Sequence, residues 1–144
     1  MLKRVLVIDD DLFFAVKIES TLKKMGYEAK VFGSGELALA YADTTEIALA
    51  IINFGREKLS PLSLSSQLKQ LPNPAPILGF ISHGKIPEMR PLAKAAGCDL
   101  LIANSVVALK LPQMISKLAP LDGSAQDIDS AEEIGREGEV EAHS

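Results

Sequence analysis

Asp9, Asp10 and Asp11 stand in a row directly behind the apolar run Val5-Leu6-Val7-Ile8. Carboxylates at the end of a buried segment must be solvated or matched by a cation. Acting together, their chemistry is that of a hard divalent ion such as Mg2+, held by carboxylate and carbonyl oxygens. The plainer alternative has one aspartate capping a helix and another facing water. A second polar break follows Ile47-Ala48-Leu49-Ala50-Ile51-Ile52, which runs without alternation into Asn53, Phe54 and Gly55. An asparagine there donates and accepts hydrogen bonds, but its amide carries no charge and is a poor nucleophile. Two later apolar runs end the same way, one in Ile81-Ser82 and one in Ala103-Asn104-Ser105.

The elements that would gather these residues can be read in order. Short unalternating runs are strands buried on both faces, as parallel strands are. They fall at 5–8, 47–52, 77–81 and 100–103, and a further strand is expected over 28–32. Between them lie helices. Phe14, Ile18, Leu22 and Met25 recur at helical spacing, with Asp11 as N-cap and Gly26 as the stop. Gly33-Ser34-Gly35 turns the chain into a short helix ending near 43–45. Ser60-Pro61 predicts a serine cap and a proline in the first turn of a third helix, which Leu64, Leu68 and Leu71 bury. A fourth helix ends at Gly97, and its two prolines, Pro87 and Pro91, predict a start near Pro91 or a distorted first turn. A last helix is expected over 111–118. This βα alternation predicts an α/β fold, a doubly wound parallel sheet with helices on both faces. In such folds ligands gather where strands end, at the switch in strand order. That is where Asp9, Asp10 and Asn53 meet.

Composition narrows the function. The 144 residues are 47% hydrophobic and 24% charged, ordinary values for a globular domain. No apolar run approaches the roughly 20 residues of a membrane span, and the N-terminus does not read as a signal peptide. Membrane partners are not expected, and the single cysteine, Cys98, suits a reducing, cytoplasmic setting. It reads as a small buried residue, with no base nearby in sequence. The net charge of −4 divides unevenly: 120–144 holds eight acids and one base, while 1–119 holds 11 acids and 14 bases. Residues 1–119 are therefore expected to form the domain, and 120–144 a disordered acidic tail or linker. No basic stripe marks a nucleic-acid surface.

Two other motifs lead nowhere. Gly79 through Lys85 fits the spacing of a phosphate-binding loop, but Ile86 replaces its Ser/Thr and Gly79 lies inside a strand. His83 sits in the loop after that strand and reads as a solvated surface residue.

Val5-Leu6-Val7-Ile8-Asp9-Asp10-Asp11, the later strand ends and Ala95-Ala96-Gly97-Cys98-Asp99 together resemble the receiver domains of two-component response regulators. The resemblance covers about residues 3–118. It implies a flavodoxin-like sheet in the order 2-1-3-4-5 and a phosphorelay role. It also implies Mg2+ at Asp9 and Asp10, and partners bound by the face of the fourth helix, fifth strand and fifth helix. The family's phosphate-accepting aspartate falls on Asn53. Its Thr/Ser after strand four falls on Ile81, its lysine after strand five on Asn104, and its switching aromatic on Leu101.

Each substitution removes a piece of phosphoryl chemistry. Asn53 offers no nucleophile, Ile81 no hydroxyl, and Asn104 no cation. With one carboxylate fewer, Mg2+ should bind weakly, and no cofactor is required. Asn53 and Asn104 are expected to hydrogen-bond as a neutral amide pair. The expected protein is a pseudo-receiver without enzymatic activity, acting through contacts with a signalling partner (kinase, output protein or second copy). A displaced acceptor at Asp10 or Asp11, or a metal or small-ligand site on the remnant acids, is the alternative.

Overall fold

Branched aliphatic runs with no polar interruption can be satisfied only inside a sheet covered on both faces. The computed structural model, which describes residues 2–121, places each of them there. The elements in order are β1 (Arg4–Ile8), α1 (Leu12–Lys24), β2 (Glu28–Phe32), α2 (Gly35–Thr44), β3 (Leu49–Asn53), α3 (Pro61–Lys69), β4 (Ile77–Ile81), α4 (Ile86–Ala95), β5 (Leu100–Ala103) and α5 (Asn104–Leu118). All strand pairs are parallel, and the sheet runs β2-β1-β3-β4-β5. This is the flavodoxin-like order. β1 and β3 pair from Val5↔Leu49 to Ile8↔Ile52, so Asp9 and Asn53 emerge together at the carboxyl edge. On one side α1 packs against α5; α2 packs on α3, and α3 on α4.

Helix ends follow local chemistry. The Asp11 carboxylate accepts the Phe13 N–H at 3.0 Å and caps α1. Gly26 and Gly97 end α1 and α4 in the left-handed region, with φ of 93° and 100°. Gly79 meets a different demand. A Cβ there would lie 2.6 Å from the Phe54 ring and 3.1 Å from Leu101 Cδ1, so this strand glycine makes room for Phe54. That accounts for the glycine that imitates a phosphate loop. Asp99 is structural: it accepts the Ile77 N–H and the Lys69 ammonium, both at 2.7 Å, tying α3 to the starts of β4 and β5. The end of the described chain is fixed as well. Tyr27 Oη donates to Ala119 O at 2.5 Å, Lys3 Nζ donates to Pro120 O at 2.6 Å, and Leu121 lies beside Gly26.

Three expectations need correction. Ser60 does not cap α3 with its side chain. It closes a 3-10 turn over Glu57–Leu59 in a left-handed conformation (φ 49°), which commits its backbone to that turn. Helix α4 does not wait for Pro91 but begins at Ile86, after a 3-10 turn over His83–Lys85, and carries Pro91 inside. Pro87 and Pro91 both lie exposed, where water replaces the missing donor. The last helix begins seven residues early, at Asn104, directly off β5. Its first half buries Val106 and Val107. The chain kinks at Lys110 (φ −128°, ψ 15°), ahead of Pro112, and resumes. The expectation of disorder over 120–144 lies, from residue 122 onward, outside the described residues.

Candidate functional site

The carboxyl edge of β1 and β3 is a hydrogen-bonded cluster. Asp9 is 2% exposed, and its N–H is bonded to Phe32 O, so its side chain is held at the end of β1. Its Oδ1 accepts the Asp11 N–H at 2.9 Å and the Asn53 Nδ2–H at 3.1 Å. Its Oδ2 is buried without a protein partner. Burial pushes the Asp9 carboxyl above its ordinary range, against the pull of these two hydrogen bonds.

Asn53 is 5% exposed and uses both ends of its amide. While Nδ2 donates to Asp9, Oδ1 accepts the Gly55 N–H at 2.9 Å. This asparagine-type turn folds the chain back at the end of β3. The Arg56 N–H then reaches Asn53 O at 3.4 Å. The turn delivers Arg56 over Asp10, where Nε meets Oδ1 at 2.5 Å. That hydrogen bond holds the Asp10 carboxyl below its ordinary range and raises the guanidinium. Asp11 is taken up by capping α1.

The positions on β4 and β5 are not joined to this cluster by hydrogen bonds. Ile81 is buried and faces the turn with hydrocarbon: its Cγ1 lies 4.0 Å from where a Cβ on Gly55 would stand. Leu101 is buried, and its carbonyl accepts from Arg90 Nη2 on α4 at 3.2 Å. Asn104 opens α5, and its Oδ1 is buried without a protein partner. The expected Asn53–Asn104 amide pair therefore does not form. β5 lies two strand spacings from β3, about 10 Å, which a lysine spans and an asparagine does not. Ser82 and His83 are exposed.

Sequence reasoning missed Arg56, whose partner is 46 residues away and gives no local signal. It also missed the outward side of α1. Leu12, Phe13 and Val16 are 76%, 71% and 60% exposed, and Leu109 on α5 is 74% exposed. The run Leu12-Phe13-Phe14 was the available sign, because consecutive apolar residues cannot share one helical face.

Among the described residues no group of three or more His, Cys, Asp or Glu side chains is placed to hold a metal, and no helix is long and apolar enough to cross a membrane. The sheet order β2-β1-β3-β4-β5 is that of the flavodoxin-like fold. No family model matches the chain. It is similar to the response regulator protein TodT of Pseudomonas putida, 26% identical over 93 residues, 65% of this chain and 41% of the relative. The chain thus spans about two fifths of the length of the curated relatives it matches. It is also similar to the signal receiver domain of a response regulator from Bermanella marisrubri, at 27% identity and a TM-score of 0.73 over 82% of this chain and 98% of that one. A receiver domain of a Pseudomonas aeruginosa sensor histidine kinase, solved with magnesium in its active-site cleft, shares the fold at 17% identity and a TM-score of 0.72, over 82% of this chain and 98% of that one.

Proposed function

We propose that this chain is a pseudo-receiver: a receiver fold kept as a phosphorylation-independent protein-contact module in signal transduction, without enzymatic activity of its own. The observation that carries this reading is the state of Asn53. The residue at the acceptor position has no carboxylate, and its amide is bonded to Asp9 on one side and to Gly55 on the other. The surroundings agree. Ile81 offers a phosphoryl group no hydroxyl, and Asn104 offers it no charge. A displaced acceptor is disfavoured by the same geometry, since Asp10 is paired with Arg56 and Asp11 caps α1.

The partner is a signalling protein, kinase or output protein, or a second copy of the chain, in a cytoplasmic setting. The face of α4, β5 and α5 presents Leu92 and Leu109 to solvent. Each gives a partner an apolar anchor on that face. With its switch position filled by the buried Leu101, this face would hold one shape instead of two.

Incubation with acetyl phosphate and Mg2+, followed by intact mass measurement, tests the reading. The expected result is an unchanged mass. A stoichiometric phosphate adduct overturns it, and peptide mapping to Asp10 or Asp11 identifies the displaced acceptor.

A further inference from the structure

The two remaining acids of a receiver-type pocket imply a divalent cation, and the residues around them do not fit one. A hard cation needs oxygen lone pairs turned toward a common point. Asn53 turns its N–H toward Asp9 instead, because its Oδ1 is engaged by the Gly55 N–H. Asp9 Oδ1 already accepts two hydrogen bonds. Asp10 Oδ1 is bonded to the Arg56 guanidinium. Asp9 Oδ2 is the one buried carboxylate oxygen here without a protein partner, and a divalent ion drawn to it would meet the resident positive charge of Arg56 on the neighbouring Asp10.

We infer that Arg56 is the protein's own counter-ion for the acidic pair, standing where receiver domains use a metal, and that it keeps divalent cations out. The inference deepens the pseudo-receiver reading and rests on it, but it concerns a different property: what neutralises Asp9 and Asp10, not what Asn53 fails to carry. Arg56 suits the role. A guanidinium is always charged and directs its N–H groups in a fixed fork matched to a carboxylate. The residue is carried by the turn that Asn53 itself builds, through the Gly55 N–H and the backbone bond from Arg56 to Asn53 O. Asparagine at the acceptor position and arginine three residues later therefore form one arrangement. The amide orders the turn, and the turn delivers the cation. Arg56 sets one positive charge against Asp9, Asp10 and Asp11, and the amide at 53 adds no fourth carboxylate to them. The Asp10–Arg56 pair fastens the loop after β1 to the loop after β3, which a shared metal would otherwise do.

The test is a Mn2+ titration of the full-length, 15N-labelled chain, read as paramagnetic broadening of the amides of 9–11 and 53–56. Reading individual amides separates this edge from binding by the acids of 120–144. No phosphate donor is present, so the result does not depend on whether the chain can be phosphorylated. Arg56 is exposed, and Arg56→Ala is expected to fold, with unchanged shifts in β4 and β5 as the check. Expected results are no saturable broadening at the edge of the natural chain in submillimolar Mn2+, and a gain of at least tenfold in affinity for Arg56→Ala. Adding Arg56→Ala to Asn53→Asp should likewise raise affinity at least tenfold over Asn53→Asp alone. Saturable binding to the natural chain as tight as to Arg56→Ala overturns the inference. So does an affinity that is indifferent to Arg56 in both backgrounds.

Discussion

Asn53 donates its side-chain amide to Asp9 at 3.1 Å, joining the ends of β3 and β1 through two side chains 44 residues apart. Both are almost wholly buried, so this bond is made without competition from water. Asn53→Ala removes it along with the bond to the Gly55 N–H. Leaving buried polar groups unsatisfied costs about 1–3 kcal/mol. Urea unfolding of the natural and substituted chains should show a loss in that range. The amides of 55 and 56 should exchange faster with solvent, because the turn loses its anchor.

Asp9 provides a prediction in pH. Burial raises its carboxyl in the folded state, so the folded chain holds that proton more tightly than the unfolded chain does. The stability tied to this group is complete below the unfolded value of 3.8 and is lost as pH rises through the higher folded value. Asp9→Asn abolishes that loss. Melting curves should show the substituted chain ahead at pH 7 and the gap closing toward pH 3. Asp10 has the opposite sign. Its lowered carboxyl stabilises the fold above 3.8 and ceases to do so as pH falls through the folded value. Asp10→Asn should blunt the acid limb of the same profile.

Gly79→Ala should be costly despite its small size. The added Cβ would meet the Phe54 ring at 2.6 Å in the middle of the sheet, where neither strand can shift alone. Overpacking of this kind costs about 1–3 kcal/mol. A cycle with Phe54→Leu, measured by chemical denaturation, should recover part of the loss, because the smaller side chain vacates that space. Strict additivity would show that the close approach is not the cause.

Cys98 should behave as core. Burial pushes its thiol up to about 12, and its sulfur lies 3.3 Å from Leu100 O. Ellman's reagent at pH 8 should leave the native chain unlabelled and react fully in denaturant. A raised thiol pKa stabilises the fold fully below the unfolded value of 9.0 and is lost as pH climbs toward 12. Cys98→Ala should therefore flatten the alkaline limb of the stability profile.

Four of the strands were legible because each is a short aliphatic run with polar residues at or just beyond its carboxyl end, while the partly buried edge strand β2 lacks that pattern and the strand order came from the resemblance. Asp11 and Gly26 marked the ends of α1 for equally local reasons. What stayed hidden was decided by distant partners. Asn104-Ser105-Val106-Val107 carried no helical signal between the fifth strand and the helix expected from 111, yet burial of both valines holds the segment as the opening of α5. Pro91 seemed incompatible with a helix interior until its solvent-facing position was known. At the site, the sequence named Asp9, Asp10 and Asn53 but not the bonds among them. It paired Asn53 with Asn104, across a gap that no asparagine bridges, and it passed over Arg56 as loop.

The bonds from Tyr27 and Lys3 to the carbonyls of Ala119 and Pro120 fix where the described chain leaves the domain. They lie at the amino pole of the sheet, a full strand length, roughly 16 Å, from the pole that carries Asn53. A dye attached at Leu121 would therefore stand clear of the acidic edge. Labelled that way, the molecule can report on binding at one pole without the reporter touching the other.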